Sequence, residues 1–209
     1  MSPALFRADH IGSLIRPQYV LDAQAAISQG LSMHVNMHDR SSQSPDLVSK
    51  LQDAEQKAIA EVVAQQVKRG IVPITSGELD RPSFVSGFYE ALEGMEIRNL
   101  PRTDFRTEHP IMRLYLRMGI DGRDQPIATG KIKFKQSAYM NEWLYVRSLI
   151  PEELWKDVKI TIPSPSWSQQ QLKDGQQYVE GTYSDDLECL CDISEAMRQE
   201  ILALYEAGV

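Results

Sequence analysis

Positions at helical spacing run through the longest regular stretch of the chain. Leu47, Leu51, Ala54, Ala58, Val62, Gln65 and Arg69 trace rows three to four residues apart, and Ile59, Val63 and Val67 widen the apolar stripe. The pattern predicts a helix from about Asp46 to Arg69, with Gly70 as its C-cap. Ile71-Val-Pro-Ile-Thr75 follows as a short apolar run closed by Ser76-Gly77-Glu78, so the helix feeds a buried strand. The same grammar returns further on. Ser83 to Glu93 reads as helix and Ile127 to Phe134 as strand. Ala138 to Ser148 reads as helix around Trp143 and Val146, and Lys156 to Ile162 as a strand cut off by Pro163-Ser-Pro165. A last helix, from about Ser184 to Ala207, carries Leu187, Leu190, Ile193, Met197, Ile201, Leu204 and Tyr205 on one side. Arg40-Ser-Ser-Gln-Ser-Pro45 reads as a short loop, and the polar stretch from Met95 to Asp124 as a hairpin or long loop.

Counting Phe6 to Ser13 as the first strand gives four strand candidates joined mostly by helices. Strands alternating with helices imply right-handed βαβ units and a mainly parallel sheet. Four units use all 209 residues, so eight would need roughly 400, within the range of barrels with insertions. The expected fold is therefore α/β, a single domain over residues 1–209 that covers the first four units of a (β/α)8 barrel and stops before the fifth strand. Open edges on the first and fourth strands would favour self-association, or pairing with a carboxyl-terminal half. An unrelated open α/β sheet is the alternative architecture.

Composition narrows the partners. The chain is 42% apolar and 24% charged, as ordinary globular proteins are. No run approaches the roughly 18 apolar residues that span a bilayer, and MSPALFRADH lacks the apolar core of a signal peptide. A cytoplasmic location is expected. Lys and Arg number 22 against 29 Asp and Glu, a net charge of -7 that repels nucleic acid on average. The two cysteines, Cys189 and Cys191, are too close for an ordinary disulfide and diverge on a helix, which makes them packing residues. His34 and His38, four apart, could clamp a metal only if helical, and no third ligand is near them in sequence.

Chemistry is expected at the carboxyl ends of the strands, where barrels and open α/β sheets bind ligands. His10-Ile11-Gly12-Ser13 combines small residues with a hydroxyl, and its backbone N–H groups could meet a carboxylate or phosphate; a strand-end turn with a capping Ser explains it as well. Glu78, behind Gly77, could bind an amine or act as a base, or be an ordinary acid at a helix entry. Asp80 and Arg81 are expected to pair with each other. Pro163, Ser164 and Pro165 form a third strand-end loop, either a rigid turn or one with hydroxyls exposed to a ligand.

In order along the chain, Arg7-Ala-Asp-His-Ile-Gly-Ser-Leu-Ile-Arg-Pro17, then Ser76-Gly-Glu78 with Arg81 and Phe88, then Lys159-Ile-Thr-Ile-Pro-Ser-Pro165 resemble the cobalamin-independent methionine synthase family, especially its short single-barrel members. The resemblance covers the amino-terminal half of that family's catalytic barrel. It implies a (β/α)8 fold and transfer of a methyl group from a polyglutamylated methyltetrahydrofolate to the thiol of homocysteine, with zinc activating the thiol. It also implies that the backbone at Ile11 and Ser13, beside His10 and Gly12, holds the amino-acid carboxylate, that Glu78 holds its ammonium, and that Pro163, Ser164 and Pro165 border the methyl donor. Two departures put the substrate in question. Ser76 stands where short relatives commonly have Asp, and Gly87 where they often carry an acid. The zinc ligands of the family fall in the half that this chain does not match, so the resemblance implies no metal ligand and no catalytic residue within this sequence. Alkyl transfer to another thiol, or a non-catalytic binding or oligomerising module, are the competing functions.

Overall fold

The computed structural model describes residues 10–28, 44–119 and 122–209. Of the expected first strand only His10 to Ser13 falls within them; Arg7, His34, His38 and the Arg40 end of the expected loop lie outside the described residues.

Helices form where the spacing is strongest. Helix α1 (Gln18–Ser28), which the sequence reading did not anticipate, buries Val20, Gln24 and Ile27 on one face. Helix α2 (Pro45–Arg69) begins with Pro and Asp46 in its first turn and ends with Lys68 and Arg69, each suited to its end of the macrodipole. Gly70 takes the left-handed conformation at φ 63°, and the Gly70 and Ile71 N–H groups bond the Val67 and Gln66 carbonyls. Helix α4 (Met140–Ser148) and helix α6 (Asp186–Glu206), with the short α5 (Trp167–Gln171) between them, are the later helices; α4 and α6 lie within a residue or two of the expected ends, and Asp185 caps α6 by accepting from the Glu188 N–H.

The polar excursion is a long antiparallel hairpin. Strand β1 (Leu92–Pro101) pairs with β2 (Gly122–Phe134) from Leu92 opposite Phe134 to Pro101 opposite Gly122, with α3 (Pro110–Arg117) in the connection. A bulge between Glu93 and Met95 uses Gly94 at φ 77°, where any Cβ would meet the Lys131 carbonyl at 2.5 Å. The expected strand from Ile127 to Phe134 thus exists but is antiparallel to its neighbour instead of being a parallel stave. The helix expected from Ser83 to Glu93 is replaced by turns, a 3-10 turn over Tyr89–Ala91 and the start of β1. Gly87 at φ 108° interrupts any helix there, and the segment instead buries Phe88 and Tyr89.

Parallel pairing is confined to bridges among the described residues. Ile74 and Val158 form one: Ile74 N–H bonds the Asp157 carbonyl and Lys159 N–H bonds the Ile74 carbonyl, both at 2.8 Å. The expected strand from Lys156 to Ile162 follows a 3-10 helix (Glu152–Asp157) and contributes Val158 to that bridge. Four ladder-paired parallel strands are therefore not what the described residues form; their sheet has two strands, β1 and β2.

Three apolar clusters hold these parts. Val20, Ala58, Ile59, Val63, Ile74, Leu79 and Val146 join α1, α2 and α4 around the Ile74 bridge. Leu92, Ala128 and Ile132 of the hairpin pack on Cys189, Ile193, Met197 and Leu204 of α6. Phe105, Met112, Ile127 and Leu172 close the far end of the hairpin. No helix among the described residues is long and apolar enough to cross a membrane.

Candidate functional site

Three segments distant in sequence meet beside the Ile74–Val158 bridge. Leu14 N–H bonds the Gly77 carbonyl at 3.0 Å, and His10 Nε2 lies 2.9 Å from the Thr75 hydroxyl oxygen. The Lys159 ammonium donates to the His10 carbonyl. The expected strand-end loops at His10–Ser13 and Ser76–Glu78 are thereby brought together beside the segment that leads from Lys159 to Thr161.

Glu78 is their meeting point. Its carboxylate accepts the Ser13 hydroxyl on one oxygen and the Thr161 hydroxyl on the other, the latter at 2.7 Å. Ser13 is exposed, whereas Glu78 is only 4% exposed. Among the described residues no basic side chain forms an ion pair with this carboxylate. Glu78 also has φ 55°, a left-handed conformation that non-glycine residues adopt rarely. Gly12 belongs to the same packing: a Cβ there would collide with Glu78 Oε1 and lie 2.6 Å from Thr161 Cγ2.

Behind Glu78 lies a buried ion pair. The Arg81 guanidinium closes on Glu142 of α4 and not, as expected, on its neighbour Asp80. Arg81 also donates to the Thr161 carbonyl at 2.9 Å and covers the Tyr139 ring at 4.2 Å. Burial alone would lower the guanidinium pKa, yet Glu142, with Tyr139 and Asp80, carries it above its ordinary value. The Glu142 carboxyl is raised by burial against the opposing pull of Arg81. Sequence reading missed Glu142. Its one signal is an acid four residues before Val146, in the buried row of α4.

An open cavity of about 540 Å³ lies on this side, with Glu55, Asp80, Arg81, Glu90 and Glu142 in its wall. Ser13, Glu78 and Thr161 are not in that wall.

The loop at Pro163, Ser164 and Pro165 adjoins the site through Thr161. Tyr89 directs its hydroxyl at the Ser164 and Pro165 carbonyls, at 3.2 and 3.3 Å, and the Ser164 and Ser166 hydroxyls pair at 2.9 Å. Trp167 and Phe84, neither anticipated, meet edge to face with centroids 4.9 Å apart.

The described residues do not suit zinc. No three His, Cys, Asp or Glu side chains among them converge. Cys189 is buried and Cys191 exposed, and burial with nearby acids pushes the Cys189 thiol up to about 12, far from the thiolate that binds metal.

No family model matches the chain. It is 25% identical over 209 residues to the uncharacterized protein YxjH of Bacillus subtilis (strain 168), covering 98% of this chain and 46% of that protein. It is 25% identical over 204 residues to the uncharacterized protein YxjG of the same bacterium, covering 97% and 46%. The chain thus spans about half the length of the curated relatives it matches. Among solved structures it is similar to a B12-independent methionine synthase from Shewanella sp. W3-18-1 in complex with selenomethionine, with TM-score 0.61, 16% identity, and 99% of this chain against 50% of that one. It is also similar to a putative vitamin-B12 independent methionine synthase from Listeria monocytogenes, with TM-score 0.62, 23% identity, and 97% against 49%. These likenesses are of fold: a mixed helix and strand arrangement that matches half of each methionine synthase chain.

Proposed function

We propose that this chain carries the amino-acid-binding part of a methionine-synthase-like alkyl transferase, built as the first part of a (β/α)8 barrel. The observation that supports it most is Glu78, a buried carboxylate that accepts hydrogen bonds from two hydroxyls and forms no ion pair among the described residues. A buried ionised carboxylate is costly unless charge-paired, and a substrate ammonium beneath Ser13 supplies both charge and donors. The backbone N–H groups at Ile11 to Ser13, which bond no backbone carbonyl among the described residues, would hold the amino-acid carboxylate, with Gly12 allowing the close approach and His10 bracing Thr75. Pro163, Ser164 and Pro165 would border the methyl donor, a methyltetrahydrofolate, with Trp167 and Phe84 as a surface for a flat ring. Homocysteine is the proposed methyl acceptor, and another amino thiol is the nearest alternative because Ser76 and Gly87 depart from the short relatives. Zinc, which the family uses to activate the thiol, finds no ligand set among the described residues.

The test is a calorimetric titration of the chain with L-methionine and L-homocysteine. Glu78→Gln replaces a charge-assisted bond with a neutral one and should weaken binding at least tenfold. Equal affinity in the variant would remove Glu78 from this role.

A further inference from the structure

The side chains around Glu78 form a closed ring of hydrogen bonds. Glu142 accepts from Arg81, Arg81 donates to Thr161, and Thr161 donates to Glu78 Oε1. The Glu78 N–H donates to Ser76 Oγ at 3.0 Å, and the Ser76 hydroxyl donates to Glu142 Oε1 at 2.7 Å. The directions are dictated by chemistry. A guanidinium only donates and an ionised carboxylate only accepts. The single Ser76 proton is therefore spent on Glu142, which leaves a lone pair for the Glu78 N–H. Arg81 in turn occupies a lone pair of the Thr161 hydroxyl at 3.3 Å, which turns its proton toward the Glu78 carboxylate.

Glu142 belongs to helix α4 and reaches Glu78 along both arms of this ring without a hydrogen bond to it. One arm ends on the backbone of Glu78 and the other on its carboxylate. This matters because Glu78 occupies a conformation of φ 55°, which persists only where surrounding structure over-determines it. We propose that Glu142 is a positioning residue for Glu78, holding its backbone through Ser76 and its carboxylate through Arg81 and Thr161 in the orientation that receives the substrate ammonium. The ligand half of this inference rests on the function proposed for Glu78; the positioning half does not.

Amide hydrogen exchange by NMR on the 209-residue chain tests the positioning directly. In Glu142→Gln the Glu78 amide should exchange about tenfold faster, while the Ile193 and Met197 amides, which bond within helix α6, keep their protection. Unchanged protection at Glu78, or a uniform rise at all three, overturns the proposal. Should Glu142→Gln fail to fold, Glu142→Asp keeps the charge that faces Arg81 but shortens the reach to Ser76, and the Glu78 amide should again exchange faster; a still-protected Glu78 amide there also overturns the proposal. The ligand half is read with L-methionine. Glu142→Gln should weaken binding about tenfold in the wild-type background and add no loss in the Glu78→Gln background, because both act through one carboxylate. Additive losses mean Glu142 acts elsewhere and refute the positioning role. No binding by the unmodified chain, or no effect of Glu78→Gln, counts against the function assigned to Glu78, while the exchange experiment still decides whether Glu142 positions it.

Discussion

The side-chain amide of Gln66 closes on both backbone groups of Thr75: Nε2 donates to the Thr75 carbonyl at 2.8 Å, and the Thr75 N–H donates to Oε1 at 3.0 Å. Gln66 lies in the last turn of α2, so the helix stands in for a neighbouring strand just where the Ile74 bridge ends. Both residues are buried, and water is not at hand to replace the two bonds.

Gln66→Leu keeps the volume and strips both partners from the Thr75 backbone. It should destabilise the fold by roughly 2–4 kcal/mol, since each unpaired buried group costs about 1–3 kcal/mol. Urea unfolding measures this, and a loss under about 0.5 kcal/mol would show that the clamp is dispensable.

Gly12→Ala tests how tightly the site is built. The added methyl would collide with Glu78 Oε1 and crowd Thr161 Cγ2 at 2.6 Å, forcing apart the two groups that share a hydrogen bond. A stability loss of about 1–3 kcal/mol, typical of overpacking, should come with weakened L-methionine binding. Wild-type stability together with wild-type affinity would mean that the loop shifts freely.

Acid should act on the start of α6. Glu188 accepts from Lys131 and from the Ser184 N–H and hydroxyl, and these bonds, Lys131 first, hold its carboxyl down at about 2. A lowered folded-state pKa stabilises above the ordinary 4.5 and is lost as pH falls toward 2. The stability gap between the wild type and Glu188→Gln should therefore be widest above about pH 4.5, close toward pH 2, and shrink with salt because the pair is exposed. A gap independent of pH would contradict this.

Self-association is expected from the surface. Ile11 and Ile15 are 90% and 95% exposed beside the site, and Leu187, Ile201 and Tyr205 form an exposed row along α6. At roughly 25 cal/mol per Å², burying a few hundred Å² of such surface supplies several kcal/mol. Sedimentation at micromolar concentration should find dimers or larger species, and Ile201→Lys with Tyr205→Lys should shift them toward monomer. A monomeric wild type would refute the expectation.

Much of the helical framework was legible from residue order. The stripe from Leu47 to Arg69, the stop at Gly70, and the helices around Trp143 and Ile193 follow from bonds between residues four apart and from one apolar face per helix. The strand-end motifs at Ser13 and Glu78 and the strand that carries Thr161 were legible as separate pieces. Their meeting was not, because a hydrogen bond between Ser13 and Glu78 leaves no periodic trace over so long a separation. The antiparallel pairing of β1 and β2 was open for the same reason, although the alternation of half-buried Met95 and Ile97 with exposed Glu96 and Arg98 marks a strand. Around Phe88 a helical pattern gave way to turns, since Gly87 and the burial of Phe88 and Tyr89 outweigh local preference. The choice of Glu142 over Asp80 as the partner of Arg81 was decided by packing alone: α4 delivers a carboxylate to a guanidinium already buried over Tyr139, and a buried charge pairs with whichever counter-charge the fold brings within reach.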